Sequence, residues 1–142
     1  DTFISERGKG VTLNGVKLSI APDRQPSNCL IEFGASSTHK QFADASFGIA
    51  KEIFKSCLDI RRICSSAIAI AYVASGKLNG YFEKELKPWD YAAASLMLEE
   101  CGCKCTDWHG NSVPYDRPSS FVCGTPKAYE LIMQKISAFT AK

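Results

Sequence analysis

Leu86-Lys87-Pro88-Trp89-Asp90-Tyr91-Ala92-Ala93-Ala94 is the stretch on which the reading of this 142-residue chain turns. Proline is tolerated only outside a helix or in its first turn, and Ala92 to Glu100 is mostly strong helix formers. The spacing therefore predicts a helix that begins near Asp90 and stops at Gly102. Asp90 then lies in the first turn, where alone it reads as an N-cap whose oxygen takes up an orphan backbone N–H. Trp89, taken alone, reads as core. Upstream, Tyr81-Phe82-Glu83 is an apolar-aromatic strand ending in a carboxylate. Downstream, Glu99-Glu100-Cys101-Gly102-Cys103-Lys104-Cys105-Thr106-Asp107 closes the helix and opens another strand.

Working outward, strands and helices alternate. Thr2 to Ser5 and Val11 to Ile20 read as strands, the second interrupted by Asn14-Gly15, a strong short hairpin signal. Gly8-Lys9-Gly10 lacks the spacing and following helix of a P-loop and reads as a turn with positive φ angles. Asp23 to Asn28 is a polar linker, and Cys29 to Phe33 a buried strand closed by Gly34-Ala35-Ser36-Ser37. From Phe42 to Ser56 apolar residues recur at steps of three and four, as in a helix with one buried face. Leu58 to Ile63 is a strand. Ser65 to Ser75 is a helix so apolar that it should be buried between layers, and Leu78 to Glu83 is a strand. Cys103 to Thr106 and Ser120 to Cys123 supply further strands. Thr125-Pro126 starts a last helix, with Thr at N-cap and Pro at N1. This alternation implies an α/β layered sandwich, a largely parallel or mixed sheet flanked by helices, preceded by a β-hairpin.

Bulk properties exclude several classes. A content of 45% hydrophobic and 23% charged residues is ordinary for a globular domain. The formal charge of +2 comes from scattered Lys and Arg, which leaves no electrostatic footprint for nucleic acid or an anionic membrane. No apolar run approaches the roughly 18 residues of a membrane helix. Seven cysteines, an odd number lying mostly in apolar segments, point to reduced thiols in a cytoplasm rather than to a disulfide framework. Cys101, Cys103 and Cys105 alternate too tightly for the usual zinc spacing. His39 and His109, each among polar loop residues, read as solvated.

In open α/β sheets ligands bind outside the carboxyl ends of strands, where helix N-termini offer free N–H groups. Cys64-Ser65-Ser66, Glu83 and Asp90 all map there. Singly, Ser65 or Ser66 reads as a cap and Glu83 as a solvated strand end.

Together, the order strand, Glu83, short loop, Pro88-Trp89-Asp90, Ala-rich helix, Gly102, strand and Thr106-Asp107 resembles the C-terminal half of the inositol monophosphatase family of metal-dependent phosphatases. The resemblance extends to Arg61-Arg62-Ile63-Cys64-Ser65-Ser66-Ala67, to Ala71-Tyr72-Val73-Ala74-Ser75-Gly76-Lys77-Leu78-Asn79-Gly80, and to Arg7-Gly8-Lys9-Gly10 with Asn14-Gly15. Essentially the whole chain fits in order.

The resemblance implies that Asp90 ligates a catalytic Mg²⁺, that Glu83 contacts substrate hydroxyls, and that Cys64, Ser65 and Ser66 contact substrate at a helix start. It implies a phosphomonoesterase acting on inositol monophosphate or a similar sugar phosphate, as a homodimer. Relatives acting on fructose 1,6-bisphosphate or 3′-phosphonucleotides are the alternatives within the family, and a non-catalytic oligomerisation module the alternative outside it. The family's other metal ligands, an upstream Glu and an Asp-Pro-x-Asp-Gly-Thr motif, would lie before Asp1. Residues 1–22 are thus expected to be remnant strands of an N-terminal antiparallel sheet, residues 23–142 a C-terminal α/β domain, and the N-terminal half of the same protein its partner. Alone, the chain should hold no complete catalytic set and be inactive. Cys64 departs from the family's usual Gly, Ala69 from an Asn or Asp, and Ala93 from a Gly.

Overall fold

A computed structural model describes residues 1–19 and 21–141. Ile20, at the end of the second expected strand, and Lys142, at the end of the expected C-terminal domain, lie outside the described residues.

The chain opens with strands β1 (Phe3–Glu6), β2 (Gly10–Leu13) and β3 (Val16–Lys17), antiparallel in the order β1-β2-β3. The β2–β3 connection is the expected Asn14-Gly15 turn, with φ of 52° and 81°. Both central residues are left-handed, as a two-residue hairpin with native twist requires. Gly8-Lys9-Gly10 is a turn, and its N–H groups are occupied: Gly8 N donates to Glu100 Oε1 at 2.7 Å and Gly10 N to Oε2 at 2.8 Å.

The remainder forms a five-stranded mixed sheet, ordered β5-β4-β6-β8-β7, between two helical layers. The strands are β4 (Leu30–Phe33), β5 (Asp59–Arg61), β6 (Gly80–Leu86), β7 (Lys104–Thr106) and β8 (Ser119–Gly124). The helices are α1 (Ala43–Phe54), α2 (Ser66–Ala74), α3 (Pro88–Glu100) and α4 (Pro126–Thr140). β4 is parallel to β5 and β6, whereas β8 is antiparallel to both β6 and β7. Because side chains alternate across a strand, Tyr81 and Phe121 enter the core under α2 and α3, and Phe82 and Val122 the core under α1 and α4.

Four expectations shift. Helix α3 begins at Pro88, the N1 residue, rather than near Asp90. Proline's missing N–H is one that a first-turn residue leaves unpaired anyway, so the helix can start there. Strand β6 runs to Leu86, with a register irregularity between Glu83 and Leu86, so Glu83 lies inside the strand instead of at its end. Helix α2 is not wholly covered: Ala69, Ile70, Ala71, Val73 and Ala74 are buried, but Ala67 and Ile68 are exposed. Trp89 is 79% exposed rather than core. The neighbouring aromatic, Tyr91, takes the interior position and stacks on Phe121 with centroids 5.3 Å apart.

Candidate functional site

Helix α1, which follows β4, packs on one face of the sheet, and α3, which follows β6, packs on the other. β4 and β6 are neighbours, so the chain leaves their carboxyl ends in opposite directions and opens a crevice between them. Into this crevice come the Gly34–Ser37 turn after β4, the Arg62–Ser65 turn after β5, and Glu83.

Glu83 is 8% exposed, and its carboxylate is held from three sides. Ser36 N donates to Oε1 at 2.7 Å, and the Tyr81 hydroxyl reaches Oε2 at 2.5 Å. Ser66 Oγ lies 3.2 Å from Oε2 and 3.0 Å from the Tyr81 hydroxyl. Ser66 is the first residue of α2, so a helix start presents its hydroxyl to a buried carboxylate. Burial, reinforced by the adjacent Glu83 charge, pushes the Tyr81 phenol well above its ordinary pKa, so Tyr81 remains a proton donor. The solvated reading of Glu83 does not survive this geometry. A lone strand-end carboxylate is normally hydrated, but this one is enclosed because β6 continues past it.

The backbone around the crevice is strained at two non-glycine positions, Ser36 with φ of 43° and Cys64 with φ of 65°. Such left-handed residues cost of order 1–3 kcal/mol each and persist only where the surroundings over-determine them. The first follows from the Ser36 N bond to Glu83. The second bends the chain between β5 and α2 so that Ser65 and Ser66 face the crevice. Ser65 occupies the N-cap position of α2 without a side-chain cap bond, so the plain capping reading of its hydroxyl is not realised.

Two connected cavities fill the crevice. One, of about 140 Å³, is lined by Cys64, Ser65, Ser66 and Glu83 together with Glu32 and Tyr81. The other, of about 160 Å³, shares Ser66 and Glu83 and extends to His39 and Asp90. All five residues singled out in the sequence therefore line one or other of two cavities that share Ser66 and Glu83.

Asp90 is half-buried at the third position of α3. Its Oδ2 accepts the Lys87 N–H at 2.9 Å, and its own N–H donates to the Lys87 carbonyl, also at 2.9 Å. It thus reaches back to close the first turn instead of capping from the N-cap position, and Oδ1 is left for another partner. Hard cations such as Mg²⁺ take carboxylate oxygens, so Asp90 fits as one ligand. Among the described residues no group of three or more His, Cys, Asp or Glu could hold a metal. The Cys101-Cys103-Cys105 run belongs to the core instead, and burial pushes the Cys103 and Cys105 thiols up to about 12.

Sequence reasoning missed three participants. Glu32, 1% exposed, could have been found as the one charge inside the run Cys29 to Phe33, which reads as uniformly apolar. Gly34 gave no signal. His39 is not simply solvated: its Nδ1 lies 3.4 Å from Glu85 Oε1 at the edge of the groove. His109 is exposed, as expected.

The sequence and the fold both resemble those of known proteins. A model of the inositol monophosphatase family matches residues 1–141. The protein called Nus factor SuhB from Escherichia coli is 33% identical over 133 residues, covering 94% of this chain and 49% of that protein. Inositol monophosphate-bound SaIMPase-II superposes with a TM-score of 0.87 at 22% identity, covering 98% of this chain and 54% of the other. A structure of IMPase/NADP phosphatase complexed with Mg²⁺ and phosphate superposes with a TM-score of 0.81 at 21% identity, covering 94% and 48%. The chain spans about half the length of the curated relatives it matches.

Proposed function

Because the chain belongs to the inositol monophosphatase family, we propose that it is the substrate-binding half of a Mg²⁺-dependent phosphomonoesterase acting on inositol monophosphate or a similar sugar phosphate. The observation that carries this reading is the single groove joining Glu83, held as an acceptor by three donors, to Asp90. A fixed buried acceptor suits a substrate hydroxyl, and a first-turn carboxylate with one oxygen to spare suits a cation.

In this reading Asp90 would be one ligand for Mg²⁺, and the bond from the Lys87 N–H to its Oδ2 keeps the side chain in a single orientation. Glu83 orients the alcohol end of the substrate, and Cys64, Ser65 and Ser66 form the wall beside it. When bound, Mg²⁺ would supply Lewis-acid chemistry and charge neutralisation at the phosphoryl group. Catalysis in this class is largely positioning and charge stabilisation, so the wall matters as much as the ligand.

The remaining ligands come from an N-terminal half, and residues 1–22 belong with the sheet of that half, while residues 23–142 form the C-terminal domain. The same reading makes the protein a cytoplasmic homodimer with reduced thiols. No helix among the described residues is long and apolar enough to cross a membrane.

The test compares the full-length protein carrying this chain with the chain alone, each given inositol monophosphate and Mg²⁺. The full-length protein should release phosphate and the chain alone should not. A second reading, a non-catalytic module that binds partners, is favoured by the single carboxylate ligand and by the Nus factor name of the Escherichia coli relative. Mg²⁺-independent folding with no phosphate release from the full-length protein would decide for it.

A further inference from the structure

Glu32 is the most deeply buried charged side chain of the crevice, 1% exposed. It lies on β4 beside Tyr81 of β6, on the same face of the sheet. Its Oε1 accepts the Ile63 N–H at 2.9 Å, which ties down the turn leading to Cys64. Its Oε2 is buried and accepts no hydrogen bond among the described residues. A buried acceptor without a partner is destabilising, and a ligand that supplies a donor relieves that cost. The residue lines the same cavity as Glu83, Ser65 and Ser66.

We propose that Glu32 Oε2 is a second hydroxyl-binding position, so that Glu32 and Glu83 together select a neutral polyhydroxylated group and reject an anionic one. This rests on the reading of the groove as a phosphomonoester site and specifies which end of the substrate enters it. A hydroxyl can both donate and accept, so it satisfies Oε2 whether Glu32 is ionised or protonated. An ammonium group satisfies only the first state, and a carboxylate or phosphate only the second. Burial, with the charge of Glu83, raises the Glu32 carboxyl above its ordinary value. Arg62 also lines the cavity but is exposed, so solvent screens its charge while the two carboxylates stay buried. The phosphate must then lie at the other end of the groove, toward Asp90.

The probes are inositol and quinate, a polyhydroxylated ring of similar size bearing a carboxylate, titrated into the isotope-labelled chain while the Ser36, Ile63 and Cys64 amide resonances are followed. Inositol should shift these amides and quinate should not. Glu32→Gln keeps an acceptor for Ile63 N but carries no charge, and it should reduce the preference for inositol over quinate about tenfold. Glu32→Met should weaken inositol binding about tenfold, and if it fails to fold the Gln variant still decides. Unchanged preference in Glu32→Gln, or equal binding of both probes by the unaltered chain, overturns the proposal. Should Glu83→Gln abolish inositol binding while the Glu32 variants do not, the phosphomonoester reading stands and the role of Glu32 falls. If no form responds to inositol, both fall.

Discussion

Gly34 and Glu83 are in such close approach that any side chain at position 34 must displace the Glu83 carboxylate. A Cβ placed on Gly34 would sit 2.6 Å from Glu83 Oε1 and closer still to Cδ and Oε2. The backbone of the turn that follows β4 thereby forms one wall of the Glu83 site. Gly34→Ala should displace the Glu83 carboxylate, destabilise the fold by about 1–3 kcal/mol as overpacking does, and abolish polyol binding. Urea denaturation checks the first consequence. Removing the clash with a second change, Glu83→Ala, should restore most of the stability but none of the binding. A stable Gly34→Ala variant that binds normally would show that Glu83 is free to move.

Asp90→Asn separates the two uses of that side chain. An amide oxygen can still accept the Lys87 N–H, so thermal stability should change by less than about 0.5 kcal/mol. An amide is a poor ligand for Mg²⁺, so turnover of the full-length protein should fall roughly a thousandfold, equivalent to about 4 kcal/mol of transition-state stabilisation. Near-normal turnover at limiting Mg²⁺ would leave Asp90 with only the helix-closing role.

Cys64→Gly is expected to stabilise the chain. Position 64 has φ of 65°, where a Cβ is strained, and relief of about 1 kcal/mol should exceed the entropy glycine gains in the unfolded state. The change also removes an exposed side chain from the cavity wall, so a bulkier polyol phosphate should gain relative to inositol monophosphate. Chemical denaturation and a two-substrate competition assay measure these effects. Lower stability would mean that the thiol makes a compensating interaction.

The attachment of the N-terminal hairpin should depend on pH through Glu100. Two backbone N–H groups, from Gly8 and Gly10, hold its carboxyl below the ordinary value of 4.5. A depressed carboxylate contributes stability that is present above 4.5 and lost as pH falls through the folded value. Protection of the Gly8 and Gly10 amides, measured relative to their intrinsic exchange rates, should therefore fall below about pH 4.5, and Glu100→Gln should lower it already at neutral pH. Glu32 acts in the opposite sense: burial raises its carboxyl, so its contribution declines as pH rises from 4.5 through its folded value. Local exchange rather than global melting is thus the informative measurement. Protection at Gly8 and Gly10 that does not change with pH would show that the hairpin is held by other contacts.

Local rules made much of the molecule legible in the sequence. The period of apolar residues in Ala43–Phe54 and Pro126–Thr140, the Asn14-Gly15 turn and the alternation of strands with helices each depend on near neighbours. These features were therefore open to reading without a partner strand in view. The residues of the candidate groove were also open to reading, because Cys64-Ser65-Ser66 and Asp90 lie at helix starts and Glu83 in the strand before Asp90, elements whose order follows from local pattern. Tertiary structure alone decided the rest. Trp89 and Tyr91 are two positions apart, and which of them enters the core was set by where α3 begins relative to Phe121. Glu32 and Gly34 lie beside Glu83 because β4 and β6 are parallel neighbours in a particular register. Register is a long-range property: a slip of one residue would turn Glu32 to the opposite face of the sheet, and no local pattern in the chain specifies it.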